Sequence, residues 1–389
     1  MNCIPALTIP GRLHRALHGG SLLGTVVLLV ACTACGAPPS DDEAPTHSLT
    51  YGVQYRVVPD APAGTVTVTL ELDQERALLR ELRFRHDARV SNIAGDGELI
   101  QDAGLVSWLP PVRGGTLSWQ VEVPHRRNGD GYDAWLGPDW GLFRAEDIIP
   151  RAATRTLKGA YSDTTLVFDL PRKWSVVTQY FGKAGRFEIN KSARRFDEPN
   201  GWIVMGDIGV RRESIGGSRV AVAGPVGQSV RRMDILALLN WTLPELARVL
   251  PELPSRLTIV SAGDPMWRGG LSAPQSMFLH ADRPLISENA TSTLLHELLH
   301  ISLGISARNG YDWIVEGLAE YYSLELLHRS STISGARYEQ AQAQLADWAT
   351  AADGLCGPVS TGATTALAVT VLGALDDELR EVSAGVSNL

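Results

Sequence analysis

The sequence predicts an α+β chain, in which an all-β, sandwich-like domain precedes a small sheet and a helical lobe. Three observations carry this expectation. Up to about Gly217 the apolar residues recur with a period of two, and beyond it they recur mostly at helical spacing. Clusters of Gly, Pro and Asn separate the period-two runs. Strands of this kind, each hiding one face and with no helical segment between them, close their core by packing sheet on sheet.

At the amino terminus, Arg12, His14 and Arg15 precede an apolar run from Leu22 to Ala31. That run is too short to span a bilayer and has the layout of a secretory signal. It closes as Leu29-Val30-Ala31-Cys32, which resembles a bacterial lipobox, so residues 1–31 are expected to be a lipoprotein signal and Cys32 the lipidated residue, with Cys35 the second candidate. Residues 32–48 are Pro-rich and acidic and read as a tether. The expected location is the bacterial cell envelope, with the membrane a partner through the lipid. Because Thr33 and not an aspartate follows Cys32, the outer membrane is expected in a diderm.

Residues 49–217 are expected to form the β domain. Thr65 to Leu72 and Leu117 to Val123 alternate apolar and polar residues, and Thr164 to Leu170 and Trp174 to Thr178 continue the series. Trp108, Trp119, Trp135 and Trp140 are read as core or corner packing rather than a sugar-stacking platform. Residues 218–389 form the second unit. Ser218 to Ala223 and Arg256 to Val260 read as strands, and Val230 to Leu250 as a helical stretch kinked or broken at Pro244. Further helices are expected around the histidine segment, over Tyr311 to Leu327, Arg337 to Ala351 and Thr364 to Val382.

About 340 residues remain after the signal and tether, enough for two domains. The formal charge of -8 leaves no basic footprint for nucleic acid. Of four cysteines, Cys3 lies in the signal; with Cys32 lipidated, only Cys35 and Cys356 remain, and no disulfide framework is expected.

The chemistry concentrates in two segments. Residues 294–300 read Leu-Leu-His-Glu-Leu-Leu-His, and residues 313–322 read Trp-Ile-Val-Glu-Gly-Leu-Ala-Glu-Tyr-Tyr. On a helix, His296 and His300 leave one face a turn apart and can converge on one ion, with Glu297 beside them. A catalytic zinc takes three protein ligands and keeps a fourth position open, so one more ligand must come from elsewhere. Glu316 is the candidate, with Glu320 one turn further along the same helix. Two histidines and a glutamate among so many leucines would be costly to bury without an ion or partners.

The run Glu316-Gly317-Leu318-Ala319-Glu320-Tyr321 resembles the second-helix signature of the gluzincins, zinc peptidases whose third ligand is a glutamate, and is most similar to the aminopeptidase (M1) and glycyl-aminopeptidase-like (M61) groups. The resemblance implies a thermolysin-like catalytic domain over residues 218–389, a Zn2+ cofactor, a peptide or protein substrate, Glu297 as general base, His296, His300 and Glu316 as zinc ligands, and Glu320 supporting His296 from behind. It places Gly269, Gly270 and Leu271 on a glycine-rich edge strand that pairs with substrate. M61 relatives continue into a PDZ domain, and none is read here. Three departures stand out. The stretch from His300 to Glu316 is short, Ser272 stands where these aminopeptidases carry an amine-binding glutamate, and Val359 stands where they carry an oxyanion-stabilising tyrosine. Tyr338, Tyr311 and His280 are the candidate substitutes for that tyrosine. The alternative to a peptidase is therefore a zinc-binding pseudopeptidase that holds peptides without cleaving them, and a third possibility is a structural envelope lipoprotein.

Overall fold

The computed structural model describes residues 49–127, 129, 131–189, 194–385 and 389. The signal segment, Cys32, Cys35 and the tether lie outside the described residues. In chain order the first strands are β1 (Leu49–Asp60), β2 (Thr65–Asp73), β3 (Leu79–Arg85), β4 (Val90–Gly95), β5 (Glu98–Asp102), β6 (Leu105–Leu109) and β7 (Gly114–Glu122). They are followed by β8 (His125–Arg126), β9 (Tyr132–Leu136), β10 (Trp140–Arg144), the short helix α1 (Ala145–Ile148), β11 (Ala152–Thr156) and β12 (Ala160–Phe168). The domain ends with β13 (Ser175–Val177), β14 (Gly182–Lys183), β15 (Arg186–Glu188) and β16 (Trp202–Gly206).

These strands make three sheets, of order β14-β15-β12-β1-β2-β7-β4, β11-β3-β6-β5 and β13-β16-β10-β9-β8. The period of two is visible in β2, where Val66, Val68, Leu70 and Leu72 turn inward and the threonines and glutamate between them turn outward. Leu82, Phe84, Val106 and Trp108 of the second sheet share one apolar core with β1, β2, β7 and β12 of the first, so the two sheets form a sandwich. Trp108, Trp119 and Trp140 are buried, as core packing requires, while Trp135 is half-buried.

The second unit follows as β17 (Ile208–Ile215), β18 (Ser218–Pro225), α2 (Arg232–Val249), β19 (Arg256–Ala262), β20 (Gly270–Ala273), β21 (Ser276–His280), α3 (Thr293–Leu303), α4 (Asp312–Arg329), α5 (Gly335–Ala349) and α6 (Ala363–Val382). Its sheet has the order β17-β18-β19-β21-β20. The change of periodicity at Gly217 falls in the turn of the β17–β18 hairpin, where Gly216 and Gly217 both have positive φ, so β17 shares the sheet of the second unit. Helix α2 is not broken at Pro244. Its buried face of Ile235, Leu236, Leu239, Leu243 and Leu246 runs past the proline, and packing on the sheet holds the helix where local propensity would end it.

One face of this sheet packs on the helices. The other meets the β domain: Trp140, Leu142, Trp202 and Val204 lie against Ala223, Val260, Ala262, Met266 and Phe278 in a shared apolar core. Cys356, in the loop before α6, is disulfide-bonded, a cross-link that was not expected from the sequence. No described helix is long and apolar enough to cross a membrane.

Candidate metal centre

Helix α3 begins where Ser292 caps it, the Leu295 amide donating to the Ser292 hydroxyl at 3.3 Å, and ends at Gly304 in the left-handed conformation. Leu294, Leu295, Leu298 and Leu299 are fully buried on one side. The opposite side carries His296, Glu297 and His300. The compact connection of residues 304–311 turns the chain back, and α4 lies against α3 with Glu316 and Glu320 facing the histidines. Gly317 sets how closely α4 is backed by α6: a Cβ there would stand 2.7 Å from that of Ala368.

The three expected ligands come together. His296 Nε2 and His300 Nε2 are 3.0 Å apart, and the Glu316 carboxylate is 3.3 Å from the first and 3.6 Å from the second. Among the described residues this is the group of His, Cys, Asp and Glu side chains that could hold a metal ion. Donors at zinc-like bond lengths of ~2.0–2.1 Å on a tetrahedron stand about 3.4 Å apart, and the observed separations bracket that value. His296 donates its Nδ1–H to Glu320 at 3.0 Å, which leaves Nε2 as the nitrogen that would offer its lone pair to a bound metal.

The charges agree with a cation at this point. Burial opposes an imidazolium at His296, yet the hydrogen bonds to Glu316 and Glu320 outweigh it and push the pKa up to about 10. At His300, burial and then the charge of His296 push the pKa down. Burial alone would raise Glu316, but His296 and His300 hold it below the ordinary carboxylate value. The two carboxylates concentrate negative charge on a point where two ring nitrogens meet, and a proton on His296 takes the place that a cation would fill.

The centre opens into a cleft of about 370 Å³. Glu297 lines it, as do Gly269 and Gly270 beside it. A Cβ on Gly270 would come within 2.5 Å of Thr293 Cγ2 and 3.0 Å of Glu297 Cγ, so the glycine lets β20 approach the metal helix. At Gly269 a Cβ would fall 2.0 Å from the Trp267 ring. Strand β20 is the sheet edge, antiparallel to β21. The His280 amide donates to the Gly269 carbonyl, so the alternation of an antiparallel ladder turns the N–H and C=O of Gly270 away from β21 and out along the edge. Leu271 is not a cleft residue: its carbonyl accepts the Trp202 indole N–H at 2.9 Å from the β-domain side. Ser272 lies on the same face of β20 as Gly270.

The candidate substitutes for the missing tyrosine are elsewhere. Tyr338 donates to Glu325 and stacks on His328, and Tyr311 is exposed at the start of α4. His280 is fully buried with its Nδ1 accepting the Asp282 amide. Val359 is 63% exposed and does not line the cleft. The hydroxyls that do line it from the α6 side are Ser360, Thr361 and Thr365. This segment is fixed to α4 because Asp312 accepts the Ser360 amide at 2.8 Å. Arg283 and Trp348 complete the walls. None of these residues stood out in the sequence; the run Ser360-Thr361-Gly362 just before a helix was the signal available for the first two.

The fold is similar to the crystal structure of an aminopeptidase N family protein from Idiomarina loihiensis, with a TM-score of 0.66 and 17% identity over 86% of this chain and 68% of that one. At that identity the likeness is one of fold. No family model matches the sequence, and no curated protein does.

Proposed function

We propose that the protein is a zinc metallopeptidase with a thermolysin-like, gluzincin arrangement in its second unit. One observation carries the reading: Glu297, which a purely structural metal site would not need, faces the same cleft as the His296-His300-Glu316 group and the exposed backbone of Gly270. The fold likeness to an aminopeptidase N family protein supports it.

His296, His300 and Glu316 would hold the zinc, which when bound lowers the pKa of a water toward neutrality and polarises a carbonyl. The chain's own residues do the rest. Glu320 keeps the His296 proton on Nδ1, so that Nε2 stays a donor of its lone pair. The Gly270 N–H and C=O pair with an extended peptide laid along the sheet edge. Glu297 takes a proton from the attacking water and passes it to the leaving amine, a role typically worth ~10²–10⁴ in rate. Ser272 brings no charge to hold a free substrate amine, so blocked peptides and internal bonds are the expected substrates.

The test uses internally quenched, N-acetylated peptides with the zinc-loaded protein. Glu297→Gln is nearly isosteric and should retain zinc and fold while losing hydrolysis. Equal cleavage by this variant would refute the assignment. A zinc-binding pseudopeptidase is the second reading, favoured by the absence of a tyrosine among the described residues lining the cleft. It would be adopted if the wild type binds these peptides and cuts none.

We further propose tethering to the cell envelope through lipid on Cys32, a reading that rests on the sequence of residues 1–48 alone. Cys32→Ala should abolish labelling by a fatty-acid precursor. Labelling that persists would move the acceptor to Cys35.

A further inference from the structure

The β domain carries a separate cavity of about 600 Å³ whose walls are basic in a chain of net charge -8. Four arginines line it, Arg83, Arg85, Arg89 and Arg151, together with Asp87, Glu146 and Asp147. Most of the acids are already committed. Asp87 holds Arg89 through contacts of 2.9 and 3.0 Å, and Asp147 holds Arg144 at 3.0 Å. Glu146 accepts the Gly201 amide at 2.9 Å. Arg83 stands 3.7 Å from Glu81, but that carboxylate is bonded to Arg155 at 3.0 Å. Glu198, the acid whose field Arg151 feels, bonds Arg194 at 3.5 Å and the Ala152 amide. Among the described residues neither Arg85 nor Arg151 joins an ion pair.

The strand register sharpens the point. Strands β11 and β3 pair Ala153 with Arg83 and Ala152 with Phe84, and the same register continued one residue beyond the end of β11 would set Arg151 opposite Arg85. Like charges facing each other across a ladder destabilise it. Arg83 and Arg85 project from the same face of β3, about 7 Å apart along the strand. Arg83, Arg85 and Arg151 thus line one cavity, with Glu146, the distant contact of Arg83 with Glu81 and the field of Glu198 at Arg151 as their partial offset.

We propose that this cavity is a binding site for a phosphate-bearing ligand, with Arg83, Arg85 and Arg151 taking its oxyanions. A carboxylate fills the fork of one guanidinium, whereas a phosphate dianion offers oxygens to two or three and matches the surplus of charge. The volume far exceeds a single phosphate, so the group belongs to a larger molecule, either a soluble phosphorylated compound or a lipid headgroup.

Pyrophosphate is the probe, titrated calorimetrically into the wild type, into the double variant Arg85→Ala/Arg151→Ala, and into Arg248→Ala, an exposed arginine on α2. The wild type and Arg248→Ala should bind alike, and the double variant ~10–100-fold more weakly. Without ligand, the double variant should melt no lower than the wild type, because it relieves a repulsion. Sedimentation with phosphatidylglycerol vesicles, against phosphatidylcholine vesicles, separates the sources. Association that pyrophosphate competes away identifies a headgroup, and pyrophosphate binding without association identifies a soluble ligand. Failure of both probes overturns the proposal. So does binding of equal strength in the double variant, which would place the anion elsewhere, the metal centre included.

Discussion

At the scale of single residues, the candidate metal group is defined by spacing, and spacing is what a sequence states most directly. His296 and His300 are four apart because one helical turn separates them, and the structure sets their Nε2 atoms 3.0 Å apart with Glu316 closing the triangle. Wild-type protein should therefore carry close to one zinc, and His300→Ala or Glu316→Ala should lose most of it. Glu320→Ala removes only the support behind His296 and should weaken affinity ~10–100-fold. Metal analysis of the dialysed variants decides, and undiminished zinc in the first two would remove the assignment. Residues whose role depends on where a loop passes were far less legible. Val359 looked like the aligned position, yet it points to solvent while Ser360 and Thr361 beside it line the cleft. A one-residue offset in a loop has no periodicity to fix it.

At the scale of elements, the apolar period carried the expected strands and helices. The metal helix, the alternating strands and the three later helices fall within a few residues of their expected bounds, because each buries a face whose repeat is written in the sequence. Helix α2 continues through Pro244, so of the two expected outcomes there, a kink or a break, the break is excluded, with burial on both sides of the proline outweighing the local rule. Glycines are the other case where tertiary contact decides. Nothing local demands Gly317, but α4 and α6 meet there: a Cβ would approach Ala368 Cβ to 2.7 Å and Leu372 Cδ1 to 2.9 Å. Gly317→Ala gains helix propensity and loses close packing. We expect the packing loss to win, at ~1–3 kcal/mol, since both contacts are buried and neither belongs to a long flexible side chain. Because α4 carries Glu316, the variant should also bind zinc more weakly. A melting temperature at or above that of the wild type would show that the helices can separate at no cost.

At the scale of the molecule, the two units share an apolar core, and this was the feature least legible in the sequence, since each strand announces that it hides a face without naming what covers it. Trp202 belongs to the β domain by its strand, yet its fully buried indole packs on Phe278 of β21 with ring centres 5.4 Å apart. Its N–H holds the Leu271 carbonyl at 2.9 Å, and its own amide donates to Ser276. The β domain thus fixes from behind the same edge strand whose Gly270 faces Glu297. Removing the ring should cost about 3–5 kcal/mol, as large-to-small changes in packed cores do, and should loosen β20 against the metal helix. Trp202→Phe keeps most of the apolar contact but removes the indole N–H that bonds the Leu271 carbonyl. It should be the milder change in stability, ~1–3 kcal/mol, while still lowering kcat/KM on any peptide the wild type cuts. Calorimetry separates this account from one of two independent units. If the units stand on a common core, Trp202→Ala lowers a single cooperative transition. Two resolved transitions, with the second at the wild-type temperature, would mean that the sheet behind the cleft stands without the β domain, and that the interface positions nothing in the site.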